Sequence, residues 1–167
     1  MIIFFEGPDK SGKTTIAREF CKTNSFQYFK HNSQKKCFKE NLFKIDLEFS
    51  AVLLHDLLTQ IKIDLVIDRN YASEYAYSRA LERETNIDIL RFLDDGYRIL
   101  NACHIFCFKQ DYSSYVDDCM KIENLKKVQL HYEQFYKTFT KCRYLFIDTT
   151  DENLNNQIRL IEDFLLG

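Results

Sequence analysis

The stretch Gly7-Pro8-Asp9-Lys10-Ser11-Gly12-Lys13-Thr14 limits what this chain can fold into more than any other. It has the form G-x4-G-K-[ST], in which a glycine-rich loop turns its backbone amides toward a phosphate and a lysine follows the turn. The form carries meaning only between a strand and a helix, and both are expected here. Residues 1–5 are a short apolar run with β-branched and aromatic side chains, as in a buried strand. After Lys13, the residues Ile16, Ala17, Phe20 and Cys21 share one helical face. Two of the four glycines and the only proline lie between Gly7 and Gly12, so the chain's special backbone chemistry is concentrated there. The loop is therefore expected to hold ATP with Mg²⁺. Lys13 would bridge the β- and γ-phosphates and Thr14 would meet the metal. Gly7, Asp9, Lys10, Ser11, Gly12 and Thr15 would complete the cradle.

Downstream, apolar runs alternate with stretches of helical spacing. Strands are expected at 26–30, 64–68, 104–108 and 143–148. Helices are expected over 42–62, 72–84, 87–100, 125–139 and 154–165, with Asn86 or Asp88 capping the third of these. The clearest strands are almost continuously apolar, which implies a parallel sheet covered on both faces. The expectation is an α/β three-layer sandwich, a five-stranded parallel sheet in one domain spanning 1–167. Residues 110–118 are polar without apolar periodicity, so a lid is placed at about 109–120.

Composition removes other classes. At a net charge of −2, no global field draws the chain to nucleic acid or to a membrane surface. No apolar run reaches transmembrane length, and the N-terminus lacks the charged region of a signal peptide. The six cysteines (Cys21, Cys37, Cys103, Cys107, Cys119 and Cys142) are dispersed and complete no zinc spacing. They read as reduced thiols of a cytoplasmic protein.

Ligands of open α/β sheets bind beyond the carboxyl ends of the strands. The run Asp64-Leu-Val-Ile-Asp68-Arg69 ends in a carboxylate and a guanidinium. Asp68 could hold Mg²⁺ or brace the loop, and Arg69 could grip a second phosphate.

Phe5-Glu6-Gly7-Pro8-Asp9-Lys10-Ser11-Gly12-Lys13-Thr14-Thr15 resembles the opening motif of the thymidylate kinases, within the P-loop nucleoside monophosphate kinases. DRNYASEYAYS resembles their second motif at Asp68, Arg69, Ser73, Ala76 and Tyr77, with Asn70 and Ser78 departing from it. RYLFIDTT resembles the segment that precedes the family's last helix, near the ATP base. The resemblance implies transfer of the ATP γ-phosphoryl group to a deoxynucleoside 5′-monophosphate, with dTMP as first guess. It implies that Asp9 meets the acceptor's sugar hydroxyl, that Lys10 acts on the γ-phosphate, and that Arg69, Ser73, Tyr77 and a stacking Phe49 line the acceptor. It also implies small-molecule nucleotide partners and a homodimer in many members. The family's acceptor-phosphate arginine has no counterpart between Arg18 and Arg69; Lys35, Lys36 and Lys39 are the candidates to replace it. Tyr75, Arg79 and Arg83 could also border the site. Two other readings stay open: a deoxynucleoside kinase of the same fold, and a nucleotide-binding kinase-like module without turnover.

Overall fold

A computed structural model describes residues 1–30, 42–113, 122–151 and 153–167, with backbone alone for 42–50 and 122. Among the described residues, five strands and six helices follow one another as β1 (Ile2–Glu6), α1 (Lys13–Thr23), β2 (Gln27–Lys30), α2 (Leu42–Gln60), β3 (Leu65–Asp68), α3 (Tyr71–Ala80), α4 (Ile87–Ile99), β4 (Cys103–Phe108), α5 (Ile122–Thr138), β5 (Arg143–Asp148) and α6 (Leu154–Leu166). The strands form one parallel sheet in the order β2-β3-β1-β4-β5.

Strand alternation sends neighbouring residues of β1 to opposite faces, and both faces are covered. Ile2 and Phe4 enter a core with Tyr71, Tyr97, Phe106, Val128, Tyr132 and Phe135, beneath α2 to α5. Ile3 and Phe5 enter a second core with Ile16, Phe20, Ile105, Ile158 and Ile161, beneath α1 and α6. These four apolar side chains of β1 are buried, each contributing about 1.5–3 kcal/mol by its removal from water. The same two-sided burial is why β1, β3 and β4 read as almost unbroken apolar runs.

Helix limits follow local chemistry. Asn70, Asn86 and Asn153 cap α3, α4 and α6 through their side-chain oxygens, so Asn86 rather than Asp88 starts α4. α3 ends at Ala80, four residues before the expected limit. Glu82 takes a left-handed φ of 52°, and the Arg83 amide turns back to donate to Ser78 O at 2.7 Å.

Asp94, His104 and Cys142 bring their ligand atoms within 4.8 Å of one another inside the first core. The Tyr71 hydroxyl lies among them, 2.8 Å from Asp94 Oδ1 and 2.9 Å from His104 Nε2. Thr140 and the Lys141 amide also donate to Asp94. Burial pushes His104 down to about 3, so its ring is neutral. The cluster is a satisfied hydrogen-bond network joining α3, α4, β4 and the entry to β5.

The four cysteines among the described residues are free. No helix among them is long and apolar enough to cross a membrane.

Candidate active site

The strands are added on both sides of β1: β3 and β2 lie to one side of it, β4 and β5 to the other. That arrangement opens a crevice beyond the carboxyl end of β1. The glycine loop fills this crevice. Gly7 has φ 143°, and a Cβ there would fall 2.1 Å from Cys107 O on β4, so only glycine permits the close approach. Gly12 precedes α1 at φ 76°. Unlike α3, α4 and α6, α1 has no side-chain cap, and unlike α3 and α4 it has no acidic residue in its first turn. Its positive end is left open to an anion. Thr149, just after β5, donates to Ser11 O at 2.9 Å and fastens the loop from the far side. Ser11 Oγ is buried with no hydrogen-bond partner among the described residues.

Lys13 is buried, with its ammonium donating to Pro8 O at 3.1 Å. Burial and the Arg69 charge push it down to about 7, against the opposing pull of Asp9 and Asp68. A polyphosphate would supply the counter-charge that this amine lacks.

Three groups converge on the fully buried Asp68. Thr14 donates to Oδ2 at 2.6 Å, Tyr28 donates at 2.7 Å, and Lys30 Nζ lies 3.1 Å away. Lys30 also donates to Thr14 Oγ1 at 3.3 Å. Burial alone would raise the Asp68 carboxyl, but the Lys13 charge and the Thr14 and Tyr28 hydrogen bonds hold it below its ordinary value. Asp68 Oδ1 is buried and has no hydrogen-bond partner among the described residues. A charged carboxylate with an orphaned oxygen beside a threonine hydroxyl is a hard-oxygen donor set that fits Mg²⁺.

On the other side of the loop, Arg69 takes a left-handed φ of 75° and reaches back to Asp9. Its guanidinium donates to Asp9 Oδ1 at 2.6 Å and lies over the Tyr77 ring, 4.9 Å from the centroid. Tyr77 closes the group, its hydroxyl donating to Asp9 Oδ2 at 3.0 Å and lying 3.1 Å from the Asp9 amide. Burial works against the Asp9 charge, and Arg69 and Lys13 more than offset it. Behind Arg69, the Ser73 and Tyr132 hydroxyls both donate to Glu6 Oε2, at 2.5 and 3.2 Å, and the Asn70 amide donates to Oε1. Burial pushes Glu6 up to about 7 despite these donors.

The structure thus brings together Gly7, Asp9, Ser11, Gly12, Lys13, Thr14, Asp68, Arg69, Ser73 and Tyr77. Ser73 faces Glu6 and Tyr132 in the interior. Lys10 and Thr15 are exposed on the loop's outer side, Lys10 at a left-handed φ of 66°. Tyr75 packs in the core against Phe135 and Phe139, with Arg79 stacked 3.6 Å from its centroid. Arg83 pairs with Glu74 at 3.2 Å. Lys35, Lys36, Lys39, the Phe49 side chain and lid residues 114–120 lie outside the described residues.

Sequence reasoning passed over Glu6, Tyr28, Lys30, Tyr132 and Thr149. For Tyr28 and Lys30 the sequence carries only the strand spacing, and the pairing comes from the sheet. They are two apart on a strand, hence on one face, and parallel pairing sets Lys30 opposite Asp68.

No protein-family model and no curated protein matches the sequence. Solved structures do. The YorR protein of Bacillus subtilis, in complex with phosphorylated GDP, aligns with a TM-score of 0.74 at 17% identity, covering 99% of this chain and 95% of that one. Deoxyadenosine kinase from M. mycoides with bound dATP aligns at 0.70 and 17% identity over the whole of both chains. The same enzyme with bound dCTP aligns at 0.63 and 18%, covering 99% and 98%. With the glycine loop and the strand order above, these end-to-end likenesses establish that the chain has the three-layer α/β fold of P-loop kinases.

Proposed function

We propose that this protein transfers the γ-phosphoryl group of ATP to the 5′-phosphate of a deoxynucleoside monophosphate, with dTMP as the first acceptor to test. The observation that carries the reading is the charge pattern of the crevice. Lys13 and Arg69 converge there, while the carboxylates beside them, Asp68 and Asp9, are each bonded to neighbouring side chains. Asp68 receives Thr14, Tyr28 and Lys30; Asp9 receives Arg69 and Tyr77. A nucleoside's neutral 5′-hydroxyl needs a general base, whereas the charges of Asp9 and Asp68 are held by the cations and hydroxyls beside them. A phosphate oxygen is already nucleophilic and needs cations to hold it.

The chain's residues divide the work. The loop amides, the start of α1 and Lys13 hold the donor's phosphates, and Lys13 follows charge onto the β–γ bridge as it develops. Arg69 offers a two-pronged grip to the acceptor phosphate and keeps it in line with the donor. Asp9, oriented by Arg69 and Tyr77, offers a carboxylate to a sugar hydroxyl. Lys10, exposed on the loop, is the candidate to act on the γ-phosphate. Thr14 and Asp68 would hold Mg²⁺, which neutralises charge on the phosphates when bound.

A second reading, deoxynucleoside phosphorylation, is favoured by the whole-chain likeness to deoxyadenosine kinase. Coupled measurement of ADP release separates the readings. The assay would compare dTMP, dUMP, dGMP, dCMP and dAMP with thymidine and deoxyadenosine. Turnover of a monophosphate, dTMP foremost, is the expected result. Turnover of nucleosides alone overturns the proposal. ATP binding without ADP formation from any acceptor reduces the protein to a binding module.

A further inference from the structure

Lys30 stands where the metal of the proposed reaction is expected. Its ammonium lies 3.1 Å from Asp68 Oδ2 and 3.3 Å from Thr14 Oγ1, the two groups that suit Mg²⁺. Three features make this more than a surface ion pair. Asp68 is fully buried, so its charge meets little solvent screening and depends on the cation beside it. The contact is built by the sheet itself, since Lys30 and Asp68 are register partners at the carboxyl ends of β2 and β3. The lysine side chain is 38% exposed, so its ammonium can swing into water without unpacking the core.

We propose that Lys30 is an internal counter-cation that holds the Thr14–Asp68 pair in the empty site and is expelled when Mg²⁺·nucleotide binds. This rests on the kinase reading of the loop. A divalent cation on Thr14 Oγ1 and either Asp68 oxygen would sit beside the Lys30 ammonium, which already contacts Thr14 Oγ1 and Asp68 Oδ2, and the two charges repel strongly at that spacing, so one replaces the other. The exchange makes the metal requirement steeper than bare donor groups would set, because the metal must first displace a bound charge. It also keeps Asp68 neutralised in the nucleotide-free protein.

The test is isothermal titration of ATP into the full chain at graded MgCl₂, without acceptor, for wild type, Lys30→Met and Lys30→Arg. In wild type, tight ATP binding depends on Mg²⁺. In Lys30→Met the Mg²⁺ concentration for half-maximal tightening should fall by about tenfold, as expected when a competing charge leaves a carboxylate. Lys30→Arg keeps the charge and should stay within about twofold of wild type. Circular dichroism and thermal melting confirm that each variant is folded; Lys30→Gln, which also lacks the charge, serves in place of any Lys30→Met that is not. An unchanged or raised Mg²⁺ requirement in the neutral variants overturns the exchange, while the kinase reading stands if ATP still binds through Lys13. Absence of ATP binding in folded wild type overturns both.

Discussion

The Arg69 guanidinium donates to Asp9 Oδ1 at 2.6 Å, and Tyr77 holds the opposite oxygen at 3.0 Å. One residue comes from the phosphate loop and the other from the end of β3. The pair therefore ties the phosphate loop to the end of β3. Its side chains are 22% and 45% exposed, which leaves both within reach of a ligand. Two substitutions separate their roles. Asp9→Asn should leave ATP affinity within about twofold and lower kcat/KM for the acceptor by about 10²-fold. Arg69→Lys keeps the charge and loses the two-pronged grip, and should cost about 10²–10³-fold in kcat/KM with a raised acceptor KM. Steady-state kinetics with each substrate varied in turn reads both. A loss of ATP affinity in Asp9→Asn as large as the loss on the acceptor side would place Asp9 on the donor.

Lys13 should take up a proton when a nucleotide binds. In the empty site burial and Arg69 hold it at about 7, so at pH 8 it is mostly neutral. Donor phosphates restore its charge and raise it. Titrations in buffers of different ionisation enthalpy should show uptake of up to about one proton at pH 8, fading toward none at pH 6, where Lys13 is already charged. Lys13→Met should abolish the uptake and lower turnover by at least about 10³-fold while the fold persists. Equal proton uptake in Lys13→Met would assign the titration elsewhere.

The parts of this design that were legible in the sequence are those encoded locally. Gly7 to Thr14 declares itself by spacing, and Asp68-Arg69 by its place at the end of an apolar run. The β1, β3 and β4 strands read clearly because burial on both faces leaves them almost wholly apolar. β2 is short and largely exposed, so its pattern is weak, and with it went Lys30. Which cation meets Asp68 is a matter of strand order, since β2 pairs with β3 rather than with β1. Glu6 and Tyr132 are 126 positions apart and meet only through packing. The early end of α3 depends on a left-handed Glu82, for which the sequence offers no glycine or asparagine as a marker.

Glu6 should shape stability against pH. Its folded value of about 7 lies above the ordinary 4.5, so between those values the folded state binds more protons than the unfolded chain. Stability from this group is fully present below about 4.5 and is lost as pH rises through about 7. Lys13, depressed from 10.5 to about 7, works the other way and adds stability as pH rises from about 7 toward 10.5. Glu6→Gln resembles the protonated carboxyl, accepting from the Asn70 amide and donating toward Ser73. Urea denaturation should find the variant close to wild type at pH 5 and more stable by up to about 3 kcal/mol at pH 8. A variant equally destabilised at both pH values would show that Glu6 is charged throughout.

Gly96 and His55 should prove energetically coupled. A Cβ on Gly96 would fall 2.1 Å from His55 Nε2 and 2.9 Å from two ring carbons. The imidazole cannot easily yield, because it is packed edge-on against Tyr97 and Phe92, with ring centroids at 5.2 and 5.5 Å. Alanine in a helix ordinarily gains about 1 kcal/mol over glycine. Here the overlap between α2 and α4 should outweigh that gain and leave Gly96→Ala less stable by about 1–3 kcal/mol. His55→Ala alone should also destabilise, by leaving a cavity between the same helices. In the double variant the new methyl group enters the space the ring has left. Its loss should therefore be smaller than the sum of the two single losses by at least about 1 kcal/mol, measured by urea denaturation of all four proteins. Strictly additive losses would mean that the ring moves aside in Gly96→Ala and that glycine is not required for this helix contact.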